Sequence, residues 1–180
     1  MNFKTENYYL RLIQLNDTQD LLDFELRNRA FFTKTSPTRS ETFFTFDGKK
    51  RFIESQIQAH KENLGHSFCI FNHQDELIGW VSLFEVLDVP NINSCFLGYR
   101  IDEACQGKGY MSEAVKLICD YAFKTLKLHR IEAGVMVNNF GSQKVLEKNG
   151  FIQEGLNRKN VQIDGVWEDH YIYGYLNPYE

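Results

Sequence analysis

The stretch Tyr99 to Ala122, Y-R-I-D-E-A-C-Q-G-K-G-Y-M-S-E-A-V-K-L-I-C-D-Y-A, constrains the fold more than any other. An extended apolar segment enters a glycine-bearing turn at Gln106, Gly107, Lys108 and Gly109, and the turn leads straight into a long amphipathic helix. Met111, Ala114, Val115, Ile118, Ala122 and Leu126 place one apolar stripe along that helix, so one face must pack on a sheet. A strand, a loop of backbone amides and a helix N-terminus in this order aim unpaired N–H groups and the positive end of the helix dipole at one point. Such a junction suits a phosphate-bearing ligand. It is not a nucleoside-triphosphate loop, because no Ser or Thr follows Lys108 and the G-x-x-x-x-G-K spacing is absent; nor is it G-x-G-x-x-G. Taken alone, it can also be read as an ordinary strand-to-helix turn.

The rest of the chain supplies the sheet. Tyr8 to Leu15 reads as a strand ending at the turn-forming Asn16, Asp17 and Thr18. A helix follows from Asp20 and fades toward Asn28, and Phe31 to Phe46, rich in Phe and Thr, reads as a loop folded on the core or as a substrate-facing wall. Lys49 to Asn63 has helical spacing. Ser67 to Asn72 and Leu77 to Glu85 form a hairpin, and Cys95 to Ile101 is the fourth strand. After the amphipathic helix come a fifth strand, Arg130 to Val137, and a short helix introduced by N-N-F-G-S. Two last strands, Phe151 to Ile163 and Val166 to Tyr175, turn at Asp164-Gly165, a strong hairpin signal.

A chain of 180 residues, 43% hydrophobic, fits a single domain spanning 1–180 with a sizeable core. Its net charge of -4 offers no global field for nucleic acid, so an anionic ligand must be held by local positive groups. No apolar run is long enough to cross a membrane, and the start M-N-F-K-T-E-N-Y lacks a signal-peptide core; the expectation is a cytoplasmic protein without a membrane partner. The four cysteines lack C-x-x-C spacing and read as free thiols, and the five histidines lack metal-ligand spacing, so no metal is expected.

Gln106 and Gly109 meet two of the three key positions of the Q/R-x-x-G-x-G/A pattern of the Gcn5-related N-acetyltransferase (GNAT) superfamily, with Met111 where that pattern has Gly or Ala. The whole segment G-Y-R-I-D-E-A-C-Q-G-K-G-Y-M-S-E-A-V at 98 to 115 resembles the coenzyme A loop of its ribosomal-protein-alanine/serine N-acetyltransferase branch. Downstream, R-I-E-A-G-V, N-N-F-G-S and V-L-E-K-N-G-F-I-Q-E-G at 145 to 155 resemble a second block of that branch, and L-R-L and D-G-V-W-E-D-H-Y resemble its ends. The resemblance implies a mixed α/β fold: a central, mostly antiparallel sheet of about seven strands, splayed between the fourth and fifth, flanked by about four helices.

It also implies acetyl-CoA as co-substrate and direct transfer of acetyl to a primary amine, with a protein N-terminus as one acceptor class and a polyamine, amino acid or antibiotic as the other. A catalytically silent coenzyme A-binding module is a third reading, and a homodimer is a further expectation for partners. The backbone of Tyr99, Arg100 and Ile101 matches the positions that pair with pantetheine. Gly107, Lys108, Gly109, Tyr110, Met111 and Ser112, with Gln106, match the pyrophosphate loop. Asn139 and Ser142, spaced N-x-x-S, match residues beside the pantetheine arm and thiol, or alternatively cap a helix. Ser142 is the candidate for hydrogen bonding or protonating the thiol, and an amide near Ile101 the candidate oxyanion donor. Glu132 is the first candidate base and Glu85 the second, each also readable as a structural carboxylate. Trp167, Asp169 and Tyr171 alternate on the last strand, where they either shape an acceptor pocket or, for the aromatics, pack in the core. Arg11 and Asn28 read as structural polar residues.

Overall fold

A computed structural model describes residues 1–180. Eight strands form one sheet: β1 Asn2–Lys4, β2 Tyr8–Leu12, β3 Gly65–Asn72, β4 Leu77–Val89, β5 Ile92–Ile101, β6 Arg130–Met136, β7 Ile152–Ile163 and β8 Val166–Leu176. Their spatial order is β1-β2-β3-β4-β5-β6-β8-β7. Five helices flank it: α1 Thr18–Arg27, α2 Arg29–Phe32, α3 Phe46–Lys61, α4 Tyr110–Lys124 and α5 Phe140–Lys148. The mixed α/β architecture is the one the resemblance implies, with β5 and β6 standing where the fourth and fifth expected strands fall.

The differences are local and have physical causes. β1 is a three-residue edge strand, too short to carry an alternation signal, that pairs antiparallel with β2. The second strand stops at Leu12 because Leu15–Asp17 turns as a 3-10 helix, held by Arg11 donating to Asp17 and by the Gln14 N–H at 2.7 Å from Asp17 Oδ2. Asp17 is buried, so this ion pair fixes the corner. The Phe-rich segment is partly helical, containing α2 and a 3-10 turn at Glu41–Phe44. α3 starts earlier than its periodicity suggests, because the Thr45 side chain caps it by accepting from the Gly48 N–H at 3.0 Å. At the last hairpin Asp164 and Gly165 both have positive φ, 47° and 78°, as a tight primed turn needs.

Alternating strand residues feed two separate cores. Phe68 and Ile70 join Val81, Leu83, Leu97, Ile131, Ala133 and Val135 under the apolar stripe of α4 and Leu146 of α5. On the opposite face Cys69 and Phe71 pack with Leu21 and Phe24 of α1, Phe32 of α2 and Ile53 of α3. Thus α4 and α5 cover one face, and α1 to α3 the other.

The feature that positions the site lies at the sheet's centre. β5 and β6 run parallel and pair over only three rungs, Ser94 with Arg130, Cys95 with Ile131 and Phe96 with Glu132. Beyond Phe96, β5 continues to Ile101 bonded to β4 alone, while β6 continues to Met136 bonded to β8 alone. A V opens there, and its wide end leads into the glycine turn.

Candidate active site

The turn follows from its residues. Asp102 caps a short 3-10 helix, Glu103–Cys105, by accepting from the Ala104 N–H at 3.0 Å. Gly107 and Gly109 then take φ values of 74° and 80°, in the left-handed region that glycine enters without cost. A Cβ at either would meet nothing within 4 Å, so the requirement is conformational rather than spatial. Gly109 is the N-cap of α4 and has no side chain to cap with; the first intrahelical bond runs from the Glu113 N–H to the Gly109 carbonyl. The amides of Tyr110, Met111 and Ser112 therefore have no intrahelical acceptor, at the positive end of the helix dipole.

Gly109, Tyr110 and Ser112 border a cavity of about 430 Å³ rimmed by Lys108, Lys116 and Lys148, with Glu113 the one acidic side chain among its walls. The net positive wall adds to the positive helix terminus, and both favour an anion there. Asn149 ties the far side to it, its Nδ2 donating to the Ser112 carbonyl at 3.0 Å and to Val145 at 2.8 Å. Met111, the departure from the family pattern, turns its side chain into the main core, leaving its backbone at the turn.

Along the V the predicted residues separate by function. Ile101 is buried in the core, and its side chain takes no part. Arg100 leaves toward α1, donating to Glu25 at 2.8 Å, with its guanidinium 4.9 Å from the Phe32 ring. Tyr99 reaches toward α5, where its hydroxyl lies 2.8 Å from Ser142 Oγ and 3.1 Å from the Ser142 carbonyl. Burial raises its phenol well above the ordinary tyrosine range. Asn139 caps α5, its Oδ1 accepting from the Ser142 N–H at 3.2 Å. The capping job thus falls to Asn139, and the Ser142 hydroxyl is left to Tyr99. A reading that confines Tyr99 to its backbone misses this phenol, which comes from 43 residues upstream.

Glu132 sits on the last rung, at the closed end of the V, where its carboxylate accepts from Arg130 Nε at 3.0 Å. Arg130 also pairs with Glu154 on β7. Glu85 lies in a β4 bulge between Phe84 and Leu87, with φ at 50°, a conformation unfavourable for a residue with a Cβ. Beside it Phe84 stacks on Phe96 and touches the space above Gly98. The last-strand residues do not converge on one role. Trp167 is 56% exposed, so it is not a core aromatic, because the β7–β8 hairpin runs past the body of the sheet. Asp169 pins the Lys159 N–H at 2.7 Å, and Tyr171 packs partly against the main core. Cys105 is partly exposed, and burial raises its thiol above the ordinary range, which disfavours thiolate.

α1 also grips the strand end that feeds the turn. Asn28 Oδ1 accepts from the Glu103 N–H at 2.9 Å, Arg27 Nε donates to Asp102 at 2.6 Å, and Glu25 holds Arg100. Asn28 and Arg11 are thus structural, as their residue types suggest.

A parallel strand pair splays beyond three rungs and opens onto a left-handed glycine turn at a helix N-terminus, and an acetyltransferase (GNAT) domain model fits residues 8–152. The chain belongs to the GNAT acetyltransferase family. The probable N-acetyltransferase YjcK of Bacillus subtilis (strain 168) is 47% identical to this GNAT chain over 97% of each protein. The ribosomal protein uS5-alanine N-acetyltransferase of Escherichia coli (strain K12) is 30% identical, over 97% of this chain and 90% of its own length. The crystal structure of the ribosomal-protein-S5-alanine acetyltransferase from Vibrio fischeri superposes with a TM-score of 0.95 at 35% identity, covering 99% of this GNAT chain and 97% of that one.

Proposed function

We propose that this GNAT N-acetyltransferase takes acetyl from acetyl-CoA and places it directly on the α-amine of a protein N-terminus, with a ribosomal protein the favoured acceptor. The observation that carries the reading is the edge of β5 left without a β6 partner beyond Phe96, followed along the chain by the left-handed glycine turn and the lysine-rimmed cavity at the start of α4. The fit is chemical: a pantetheine arm has amides that can complete an open strand edge, and a pyrophosphate suits the amides of Tyr110 to Ser112 among three lysines. The N-terminal acceptor is supported by the two ribosomal-protein alanine acetyltransferases it resembles over nearly its whole length.

Acetyl-CoA supplies an activated thioester. For attack the amine must be neutral, and an α-amine with a pKa of about 7.7–8.0 yields its proton far more readily than a lysine near 10.4. A weak base therefore suffices, and Glu132 at the closed end of the V takes this role, with Glu85 on the bulge as its alternative. An amide of the unpaired β5 edge stabilises the developing oxyanion. The Ser142 hydroxyl hydrogen-bonds the departing sulfur.

The test is acetyl-dependent thiol release with N-terminal alanine and serine peptides, set against polyamines and free amino acids. Peptides should turn over, and exclusive use of polyamines would replace the acceptor assignment. Coenzyme A at about 100 times its Kd should add about 2.7 kcal/mol to stability, raising Tm by several degrees. Stabilisation with no turnover on any amine would instead mark a silent binding module.

The lysine rim gives a second expectation. Lys148→Glu reverses one of three positive charges on the cavity and should weaken coenzyme A binding about tenfold at low salt, equal to about 1.4 kcal/mol, and by less as salt screens it. Titration calorimetry at two salt concentrations reads both numbers, and an affinity unaffected at low salt would place the phosphates elsewhere.

A further inference from the structure

We propose that Tyr99 is the positioning residue for Ser142, holding its hydroxyl free of the helix so that it can serve the leaving sulfur; this rests on the role given to Ser142 above. A helical serine can donate back to a carbonyl three or four residues earlier, which hides its proton from any ligand. In α5 that does not happen. The hydrogen-bond partner of the Ser142 side chain is the Tyr99 phenol, at 2.8 Å, delivered from the stretch of β5 that lies past the last β6 rung. The Ser142 backbone is fixed independently, its N–H held by Asn139. One residue is thus clamped at two points by two different elements.

The phenol has one proton and two acceptors within reach, Ser142 Oγ and the Ser142 carbonyl. When it donates to Oγ, the serine proton must point away from Tyr99. Hydroxyl donation to sulfur is then a matter of orientation already established before the substrate arrives. Burial keeps the phenol protonated through the working pH range, which suits a fixed donor and not a group that gives up its proton and must recover it. Ser142 keeps its proton and donates it as a hydrogen bond to the departing sulfur, and the thiolate takes up a proton from solvent as product leaves. Tyr99 undergoes no net change.

The sequence alone hides this arrangement. Ser142 and Tyr99 are far apart in the chain, and Tyr99 reads as a residue that matters only for its backbone. The geometry assigns the two side chains one joint task.

A double-mutant cycle tests it with Tyr99→Phe, Ser142→Ala and the combination, using steady-state kinetics with acetyl-CoA and an amine the wild type accepts. Tyr99→Phe should lower kcat about tenfold while KM for acetyl-CoA stays within about twofold, because the ring and the strand backbone are kept. The double variant should be no slower than Ser142→Ala, since the phenol acts only through that hydroxyl. Equal, multiplying losses in both backgrounds would overturn the proposal, because a packing role for the phenol would persist without Ser142. So would a Tyr99→Phe enzyme of wild-type kcat. If Ser142→Ala itself turns over at the wild-type rate, the sulfur role of Ser142 falls and this inference falls with it, whereas a slow Ser142→Ala beside a fast Tyr99→Phe removes the inference alone. Thermal melts of all three variants accompany the kinetics, and a kcat loss that tracks Tm across them would also count against it.

Discussion

Gly109→Pro is expected to abolish coenzyme A binding while the chain still folds. Gly109 holds φ at 80° to start α4, and proline locks φ near about −65°, so the substitution cannot be absorbed in place. The loop must rebuild, and the amides of Tyr110, Met111 and Ser112 lose their common aim. A phosphate-facing hydrogen bond is worth about 1.5–3 kcal/mol, and disorienting several at once should cost more than about a thousandfold in affinity. Stability should suffer much less, because nothing packs within 4 Å of the space beside Gly109 and α4 remains anchored by its buried stripe. A fall of about 1–3 kcal/mol, equal to roughly 2–10 °C in Tm, is expected. Lys108→Ala on the same loop is the control: it removes a charge and keeps the backbone, and should weaken binding by no more than about tenfold. Calorimetric titration decides, and a Gly109→Pro protein that binds coenzyme A like wild type would remove the turn from the cofactor site.

Lys49→Met is expected to make the protein more stable, by about 1–3 kcal/mol at pH 7. Lys49 is fully buried in α3, and its Nζ has no hydrogen-bond partner. It lies 3.1 Å from the centre of the Phe43 ring and 3.8 Å from Glu25 Oε1, a carboxylate already engaged by Arg100 at 2.8 Å. Removing the lysine therefore leaves no naked charge behind. Burial, opposed by Glu25, lowers its pKa from 10.5 to about 7. A lowered basic pKa means that the unfolded chain binds more protons between pH 7 and pH 10.5, so this group's contribution makes stability rise with pH across that window. The Lys49→Met protein should lack that rise. The cleanest comparison is wild type against variant by denaturant unfolding at each pH from 7 to about 8.5, because thiols such as Cys95, pushed up to about 12 in the fold, ionise alike in both unfolded chains and cancel from the difference. A variant less stable than wild type at pH 7 would show that the lysine contributes through the Phe43 contact more than its burial costs.

The parts of the fold that were legible in the sequence are those governed by local period and turn chemistry. The stripe on α4, the two glycines ahead of it and the Asp164-Gly165 hairpin each carry their own signal within a dozen residues. What escaped depends on which distant side chains meet. Lys49 sits in a helix whose sequence gives no reason to bury a lysine, and it is buried because Phe43 folds back over it. Trp167 reads by its place on the last strand as a pocket or a core aromatic, and it is no core residue because strand length, not residue type, decides how far the last hairpin overhangs. Within the site, Gly107 to Ser112 could be found from spacing. The partnership of Tyr99 with Ser142 and the grip of Arg27 and Asn28 on the turn could not, because both are set by how α1 and α5 dock on the sheet.

The three rungs between β5 and β6 carry a mechanical consequence. A strand end with unpaired backbone groups usually belongs at the rim of a sheet, where it invites another strand to join. Here it lies at the midline, so the sheet is two leaves, β1 to β5 and β6 to β8, hinged on Ser94 to Phe96 and bridged on one face by α4 and α5. A linear ligand lying between the leaves would work as a spline as well as a reactant. Hydrogen exchange should then slow most at Leu97 to Ile101 and Ala133 to Met136 when coenzyme A is added, tightening the molecule along its own seam.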